Sequence, residues 1–246
     1  MGLRYHGERM QTIPAEQQHD GSWVDNTPRE EREGIYQQAL VKAWHGSGER
    51  PFVYDSCWDL SRAIDFLETR PAEFDASRIG VTGFSLGGMI TWIGAVHDLR
   101  IKVSAPMCGV QGFQWAIDNR AYMSRVDSIR PVFDAAHAQM GGSSEQPIEP
   151  ETVEAVWNRI TPGLLEHFDA PHSLPLIAPR PLLLIQGGKD PRCPIEGVQH
   201  AFLEAKEAYA QANADDKLRL FIDDDAGHDY TAKMQDELDR WFDKYL

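Results

Sequence analysis

The stretch from Arg78 to Gly88 constrains the fold of this chain more than any other part of the sequence. It reads Arg-Ile-Gly-Val-Thr-Gly-Phe-Ser-Leu-Gly-Gly, so an apolar run leads into Ser85 between two glycines. Apolar residues follow with the spacing of a buried helix face, at Met89, Trp92, Ile93 and Val96. The pattern predicts a strand, a sharp turn and a helix, with the serine hydroxyl exposed at the turn. Gly-x-Ser-x-Gly also occurs by chance, but this strand-to-helix context favours a nucleophilic serine.

Apolar runs and helical patterns alternate through most of the chain. Strands are predicted at 79–84, 101–105, 181–186 and 218–222. The run Pro181–Gln186 is almost entirely apolar, which is typical of a strand buried on both faces of a parallel sheet. Helical spacing follows the last two strands, in residues 195–209 and 234–242. The alternation predicts an α/β fold, a mainly parallel sheet with helices on both faces.

The N-terminal part of the chain carries weaker signals. Residues 1–34 are polar and contain turn-forming residues without a clear period, so we predict a loop. A helix is predicted over Tyr36–Ala43. The next helix has Asp55 or Ser56 as its N-cap. Its inner face is expected to consist of Leu60, Ala63, Ile64 and Leu67.

Residues 109–178 interrupt the alternation of strands and helices. They lie between two predicted strands and are too long for a single crossover connection. We predict a helical cap over the carboxyl edge of the sheet, on a core formed by residues 1–108 and 179–246. The aromatic side chains of the segment are expected to pack inside the cap more often than to contact a ligand: Phe113, Trp115, Tyr122, Phe133, Trp157 and Phe168.

Length and charge bound the possible function classes. The chain has 246 residues, which suits one large domain, and a formal net charge of -14. An acidic surface disfavours nucleic acid and anionic membranes as partners. No apolar stretch has the length of a transmembrane helix. The N-terminus lacks the apolar segment of a secretory signal, so we expect a cytoplasmic location.

The cysteines argue for free thiols and against a metal site. There are three of them, Cys57, Cys108 and Cys193, a number that fits a reducing compartment. Their wide spacing matches no zinc-ligand pattern, so no metal is expected. Cys193 lies close in sequence to the candidate acid Asp190, and we interpret it as a packing residue.

A nucleophilic serine needs a histidine base, and the base needs an acid that orients it. Two loops after predicted strands supply candidates: Asp190 in Gly-Gly-Lys-Asp-Pro and His228 in Ala-Gly-His. Because the carboxyl ends of parallel strands meet at one edge of a sheet, we predict that Ser85, Asp190 and His228 lie together there. The alternatives are a simple turn aspartate and a solvated loop histidine. The acidic run ahead of the histidine, Asp223 to Asp225, is interpreted as solvated charge. Asp225 is the reserve acid, the second candidate for orienting the histidine.

The order serine, aspartate, histidine, each after its own strand, resembles the α/β-hydrolase superfamily. Within it, the chain is similar to the serine esterases related to dienelactone hydrolases and acetyl esterases. The motifs that carry the resemblance are Gly83–Gly88, Gly187–Asp190 and Ala226–His228, and it extends from about Tyr54 to Leu246. Dienelactone hydrolases proper differ, because their nucleophile is a cysteine.

The resemblance implies a carboxylesterase-like serine hydrolase that acts on a small carboxylic ester. Ser85 would be the nucleophile, His228 the base and Asp190 the acid that orients the base. The backbone N–H of Leu86 would belong to the oxyanion hole. No cofactor is implied.

The resemblance also implies several strands ahead of the strand that leads into Ser85. Leu3–Arg9 resembles the loop after the last of these strands, so we expect an N-terminally short core. An oxyanion hole without its second donor and an exposed sheet edge are the expected consequences. Such an edge offers a surface for a homo-oligomer. His6 and Gly7 are expected to belong to an ordinary loop, with a place near the site as the alternative.

Two other functions compete with ester hydrolysis. Without the early strands, the chain can be a catalytically impaired hydrolase fold that serves as an interaction module. With the same three residues intact, it can act on thioesters or peptides instead of esters.

Overall fold

The computed structural model describes Glu16–Gln17, Trp23–Val24 and residues 29–246, with side chains from Gly34 onward. Glu16–Gln17 (β1) and Trp23–Val24 (β2) pair antiparallel, and helix α1 spans Arg29–Trp44. The prediction of a loop over residues 1–34 is therefore wrong for these segments. The run Arg-Glu-Glu-Arg-Glu at the start of α1 concealed the first turns, because it contains no apolar residue to mark a buried face.

Four parallel strands form the central sheet in the order β3-β4-β5-β6. They span Ile79–Phe84 (β3), Ile101–Met107 (β4), Leu182–Gly187 (β5) and Leu218–Asp223 (β6). All four coincide with strands predicted from apolar runs, apart from small differences at their ends. Strand β5 is buried along its whole length, as expected for a strand covered on both faces.

Helices precede, connect and follow these strands. Helix α2 covers Tyr54–Glu68, and α3 covers Leu86–His97. Between β4 and β5 lie α4 to α8, at Phe113–Asp118, Met123–Ser128, Arg130–Gln139, Pro150–Ile160 and Ala170–Ser173. A π-helix at Leu164–Phe168 and a 3₁₀-helix at Leu174–Ile177 flank α8. Helix α9 spans Ile195–Gln211, a 3₁₀ turn at Asp215–Lys217 precedes β6, and α10 spans Ala232–Tyr245.

The sheet is covered by helices on both faces. Leu182 and Leu184 belong to a core cluster with residues of α3 and α9. Leu183 and Ile185 belong to a different cluster with residues of α10. Successive side chains of a strand point to opposite faces, which explains this division. The predicted α/β fold class is confirmed, and the carboxyl ends of all four strands lie at one edge of the sheet.

Helices α4 to α7 and the π-helix share a hydrophobic core with α1 and the start of α2, whereas Ala170 of α8 belongs to a cluster with residues of β5. The Trp157 ring centroid lies 5.2 Å from those of Phe52 and Phe113 and 5.3 Å from that of Phe133. These rings are buried, as expected for a packed helical unit, whereas Phe168 is 45% exposed. The participation of α1 was not expected from the sequence. The division into a core and a cap of residues 109–178 stays a prediction.

The start of α2 differs from its prediction. Val53 occupies the N-cap position, and no side chain caps the helix. Asp55 Oδ2 accepts a hydrogen bond from the Arg50 backbone N–H at 2.6 Å, and the Ser56 hydroxyl donates to the Pro51 carbonyl at 2.9 Å. Both predicted caps therefore lie inside the first turn, where they bind the preceding turn of the chain.

Strand β3 forms one edge of the four-stranded sheet, since no strand in the described part of the chain pairs with its outer side. The predicted exposed edge is thus present within that part, and its use by a second copy stays a prediction. Over the same residues, no helix combines the length and apolar character that crossing a membrane would take.

Asp169 ties two parts of the helical segment together. It is 2% exposed, and its carboxylate accepts backbone N–H groups from Phe113 at 2.9 Å, Gln114 at 2.8 Å and Ala170 at 2.8 Å. Burial raises the pKa of this carboxyl, and the three N–H groups offset only part of that effect. One side chain therefore satisfies the first turns of both α4 and α8.

We expect Asp169→Ala to lower the free energy of unfolding by about 3 kcal/mol, because it leaves buried N–H groups without an acceptor. Asp118→Ala is the control, since Asp118 is an exposed carboxylate at the end of α4 that accepts a hydrogen bond from the Gln114 side chain. Urea denaturation measures both. Equal midpoints for the two variants would contradict the capping role.

Candidate active site

Ser85 lies at the sharp turn between β3 and α3. Its backbone angles, φ 57° and ψ -114°, fall in a region that non-glycine residues rarely adopt. The Ser85 N–H donates to the Met107 carbonyl at 2.9 Å, and the Ser85 carbonyl accepts from the Met89 N–H at 3.0 Å. Neighbours on both sides therefore hold the turn, and the serine stays partly exposed at the carboxyl edge of the sheet.

Gly88 allows α3 to begin close to the end of β4. A Cβ at this position would lie 2.6 Å from the Met107 carbonyl oxygen and 3.0 Å from the Gly109 Cα. Both are backbone atoms, so no side-chain rotation can relieve the overlap. At Gly87 a Cβ would meet nothing within 4 Å. Packing thus requires glycine at position 88 and tolerates a side chain at position 87.

The structure brings the three predicted site residues together. His228 Nε2 lies 2.8 Å from Ser85 Oγ, and His228 Nδ1 lies 2.7 Å from Asp190 Oδ2. The His228 side chain is 13% exposed and that of Asp190 is fully buried. In this arrangement an imidazole can take the hydroxyl proton while a carboxylate holds its opposite nitrogen.

Two loops at the ends of β5 and β6 carry Asp190 and His228 to the same place. The Lys189 N–H donates to the Ala226 carbonyl at 2.8 Å, which joins the two loops directly. Their approach is so close that a Cβ on Gly187 would lie 2.7 Å from the Ala226 carbonyl oxygen. Only glycine fits at this crossing, and the crossing fixes the separation of acid and base.

Asp190 favours its ionised form although it is buried. Burial by itself raises the pKa of the carboxyl. Three neighbours outweigh burial and hold this pKa below its usual value. They are His228, through its hydrogen bond and charge, the N–H of Arg192, and the charge of Arg125. Oδ1 accepts the N–H groups of Arg192 at 2.8 Å and Cys193 at 3.3 Å, which leaves Oδ2 for the imidazole. An ionised acid in this position stabilises the imidazolium.

Cys108 was not assigned to the site from the sequence. It directly follows β4, and this position at the carboxyl edge of the sheet could have indicated that it lies near the site. Its Sγ, Asp190 and His228 offer ligand atoms within 4.8 Å of one another, the one such group among the residues that the structure describes. Burial raises the pKa of Cys108 and of Cys193 to about 12, so both thiols are protonated. This donor set fits a hydrogen-bonded acid–base pair better than a metal centre. The burial of Cys193 agrees with its predicted packing role.

The interpretation of the acidic run ahead of the predicted base as solvated charge fits Asp224 and Asp225, which are exposed, and is wrong for Asp223. Asp223 is 5% exposed and accepts a hydrogen bond from the Lys233 ammonium at 2.9 Å. Asp225, the reserve acid, is exposed and pairs with Lys189 at 3.1 Å. The reserve acid therefore faces solvent rather than the imidazole.

Leu86 is the first residue of α3, so its backbone N–H has no acceptor inside the helix. It also lies at the positive end of the helix dipole, which favours an anion there. In α/β-hydrolases a loop after an earlier strand supplies the second donor, which we expected to be missing here. Within the described residues, no strand of the four-stranded sheet precedes β3. Leu3–Arg9, with His6 and Gly7, lies outside the described residues.

A cavity of about 670 Å³ lies away from these residues, between α2, the second half of α3 and the π-helix. None of the three predicted site residues lines it. Ile93, which does, is eight residues or about 12 Å along α3 from Ser85. The site is instead bordered by Phe84, whose ring centroid lies 5.0 Å from that of His228, and by the half-exposed Tyr230.

The parallel sheet, the helices on both faces and the serine at the strand-to-helix turn define an α/β-hydrolase fold. Residues 45–212 match the family model described as glucuronyl esterase, fungi. This match spans more than half of the chain, so the chain belongs to that esterase family. The matched region contains Ser85 and Asp190 and ends ahead of β6 and His228.

Two proteins of Bacillus subtilis (strain 168) are similar in sequence. "Putative hydrolase YtaP" is 30% identical over 194 residues, 79% of this chain and 53% of that protein. "Uncharacterized peptidase YuxL" is 25% identical over 197 residues, 76% of this chain and 25% of that protein. The chain thus spans about half the length of the first relative and a quarter of the second.

Solved esterases share the fold. The glucuronoyl esterase catalytic domain from Hypocrea jecorina matches with a TM-score of 0.52 and 22% identity over 77% of this chain and 50% of that one. A glucuronoyl esterase from Solibacter usitatus matches with a TM-score of 0.57 and 16% identity over 95% of this chain and 69% of that one. Acetyl xylan esterase 1 from Thermoanaerobacterium sp. JW/SL YS485 matches with a TM-score of 0.50 and 18% identity, over 78% and 52%. At these identities the similarity establishes the fold alone.

We expect Gly88→Ala to lower the free energy of unfolding by about 3 kcal/mol, because the new Cβ overlaps backbone atoms on β4 and beyond. Gly87→Ala is the matched control, and with open space around it we expect no loss, or a gain of about 0.5 kcal/mol from helix propensity. Chemical denaturation compares the two. If both variants were as stable as the wild type, the described packing of the turn would be refuted.

Proposed function

We propose that the protein is a serine esterase that hydrolyses a carboxylic ester through an acyl-enzyme on Ser85. The observation that carries this proposal is the hydrogen-bonded series from Ser85 Oγ through His228 to Asp190, with distances of 2.8 and 2.7 Å. Membership of an esterase family supports the ester as the bond that is cleaved. The chemistry uses protein side chains and water and calls for no cofactor.

Acylation begins with the His228 imidazole. When its Nδ1–H donates to the Asp190 carboxylate, Nε2 carries no proton and accepts the one from the Ser85 hydroxyl. The serine oxygen attacks the ester carbonyl carbon, and the carboxylate stabilises the imidazolium that forms. Collapse of the tetrahedral intermediate breaks the bond to the alcohol oxygen, which takes the proton from the imidazolium and leaves as the alcohol.

The negative charge that develops on the carbonyl oxygen would bind the Leu86 N–H at the start of α3. A donor of this kind supplies on the order of 3 kcal/mol of transition-state stabilisation. Water then attacks the acyl group while His228 takes its proton. The bond to Ser85 Oγ breaks, the serine regains its proton, and the carboxylic acid is the second product.

We infer that the substrate is an ester of a carbohydrate. The family is described as glucuronyl esterase, and the solved structures with this fold include glucuronoyl esterases and an acetyl xylan esterase. These names describe two kinds of ester, one whose carboxyl group belongs to a sugar acid and one whose acyl group is acetyl. We propose the first, because the family model that matches most of the chain carries that description.

We expect Ser85→Ala to lower kcat by at least about 10⁴-fold, because the nucleophile is lost and only binding and oxyanion stabilisation remain. It should also abolish covalent labelling by a fluorophosphonate probe, measured by intact mass. Ser77→Ala, at an exposed serine ahead of β3, is the control and should keep both activity and labelling. A folded wild-type protein that takes up no probe would refute the proposal.

A substrate panel tests which bond is cleaved. It contains benzyl glucuronate, p-nitrophenyl acetate, an acetyl thioester and an aminoacyl p-nitroanilide. We expect the highest kcat/KM for benzyl glucuronate, followed by the acetate. Preference for the anilide would favour the activity in the name of YuxL. No turnover of any compound would favour a catalytically impaired interaction module.

A further inference from the structure

Arg125 places a buried positive charge behind the proposed acid. It lies on α5 and is 5% exposed. Within the described part of the chain, its guanidinium hydrogen-bonds to no carboxylate. Burying a cation without a direct counter-charge costs several kcal/mol, so the contacts that Arg125 does make indicate its role.

The guanidinium binds the loop that carries Asp190. Its Nη2 donates to the Arg192 carbonyl at 3.3 Å and to Cys193 Sγ at 3.3 Å. Its Nε donates to Gln111 Oε1, in the segment that follows β4, at 3.4 Å. The side chain therefore connects α5 with the segment that follows β4 and with the acid loop, residues 190–193.

A single peptide group relays this contact to the carboxylate. Its carbonyl belongs to Arg192 and accepts from Arg125. Its N–H belongs to Cys193 and donates to Asp190 Oδ1 at 3.3 Å. The Arg192 N–H donates to the same oxygen at 2.8 Å. Hydrogen bonds in series polarise one another, so the guanidinium strengthens the donor that holds the carboxylate.

We propose that Arg125 is a positioning residue of the esterase site. It fixes the acid loop, residues 190–193, and keeps the Asp190 carboxylate ionised and oriented toward His228. The inference rests on the proposed function, because it adds a part to the same reaction. The hydrogen bonds of Arg125 go to neither Ser85 nor His228, so it acts on the reaction only through the acid.

The charged and titratable groups around the Asp190–His228 pair come from several elements. They are Cys108 after β4, Arg125 on α5, Cys193 in the acid loop, Asp229 next to His228 after β6, and Tyr36 on α1 beside Arg125. Burial raises the pKa of both thiols to about 12 and that of the tyrosine above its usual value, so these three stay neutral near neutral pH. Asp229 is exposed to solvent. Removing the Arg125 cation should therefore make the pair bind protons more tightly.

The test compares Arg125→Met, which removes charge and donors, with Arg125→Lys, which keeps the charge without the planar fork. Arg120→Met is the matched control, because Arg120 is exposed in the same helical segment and pairs with the exposed Glu149, away from the acid loop. The measurements are kcat and KM on the best ester of the panel, the pH profile of kcat/KM, and histidine NMR titration. Thermal unfolding reports whether each variant is folded.

We expect Arg125→Met to lower kcat by roughly 10- to 100-fold with KM changed less than about threefold, since misplacing a catalytic group mainly affects chemistry. The acid limb of kcat/KM and the NMR titration of the Asp190–His228 pair should both move to higher pH, by about 0.5 to 1 unit. Arg125→Lys should keep the wild-type limb and lose about 3- to 10-fold in kcat, because an ammonium cannot make the forked contact. Arg120→Met should match the wild type.

The NMR titration does not depend on turnover, so it separates the two proposals. A wild type without hydrolysis or probe labelling would refute the proposed function, while an unmoved titration in folded Arg125→Met would refute the role of Arg125. If Arg125→Met does not fold, Arg125→Lys decides. A wild-type kcat in this variant would overturn the inference. A lower kcat with an unmoved acid limb of kcat/KM would support it. Equal losses in Arg120→Met would also overturn it.

Discussion

The close crossing of the loops after β5 and β6 is the constraint on which the site depends. The acid and the base lie on different loops, and neither can hold the other at 2.7 Å without this contact. The crossing requires glycine at position 187 and is joined by the hydrogen bond from Lys189 to Ala226. A side chain at the crossing would separate the loops, and the imidazole would lose the carboxylate that orients it.

The site is supported from two sides by different physical means. On the nucleophile side, steric packing does the work: the turn at Ser85 has a strained backbone, and Gly88 lets α3 approach β4. On the acid side, a buried polar network supports the site. It runs from Asp190 through one peptide group to Arg125. Arg125 belongs to the helical segment between β4 and β5. In our proposals this segment therefore contributes to the chemistry as well as covering the sheet.

The four strands and the positions of Ser85, Asp190 and His228 could be predicted because their signals are local. Apolar runs mark buried strands, and glycines mark the turns beside each functional residue. Apart from the N-cap of α2, the failures concern residues whose role depends on distant partners. The first turns of α1 carry only charge and left no periodic signal, and the packing of the later residues Tyr36 and Leu40 into one core with α6 and α7 depends on partners far away in the chain. Asp223 resembled solvated charge, yet Lys233 in α10 pairs with it.

By itself, the sequence determined the class of fold, the strand-to-helix turn at the serine and the chain order of nucleophile, acid and base. These follow from residue types and spacings that act over one or two elements. Only the tertiary structure decided that Asp190, predicted as the acid, contacts the imidazole while Asp225 pairs with Lys189, and that Arg125 lies behind Asp190. Both choices depend on how loops and helices far apart in the chain pack, because burial and hydrogen bonding are set by neighbours that no local pattern specifies.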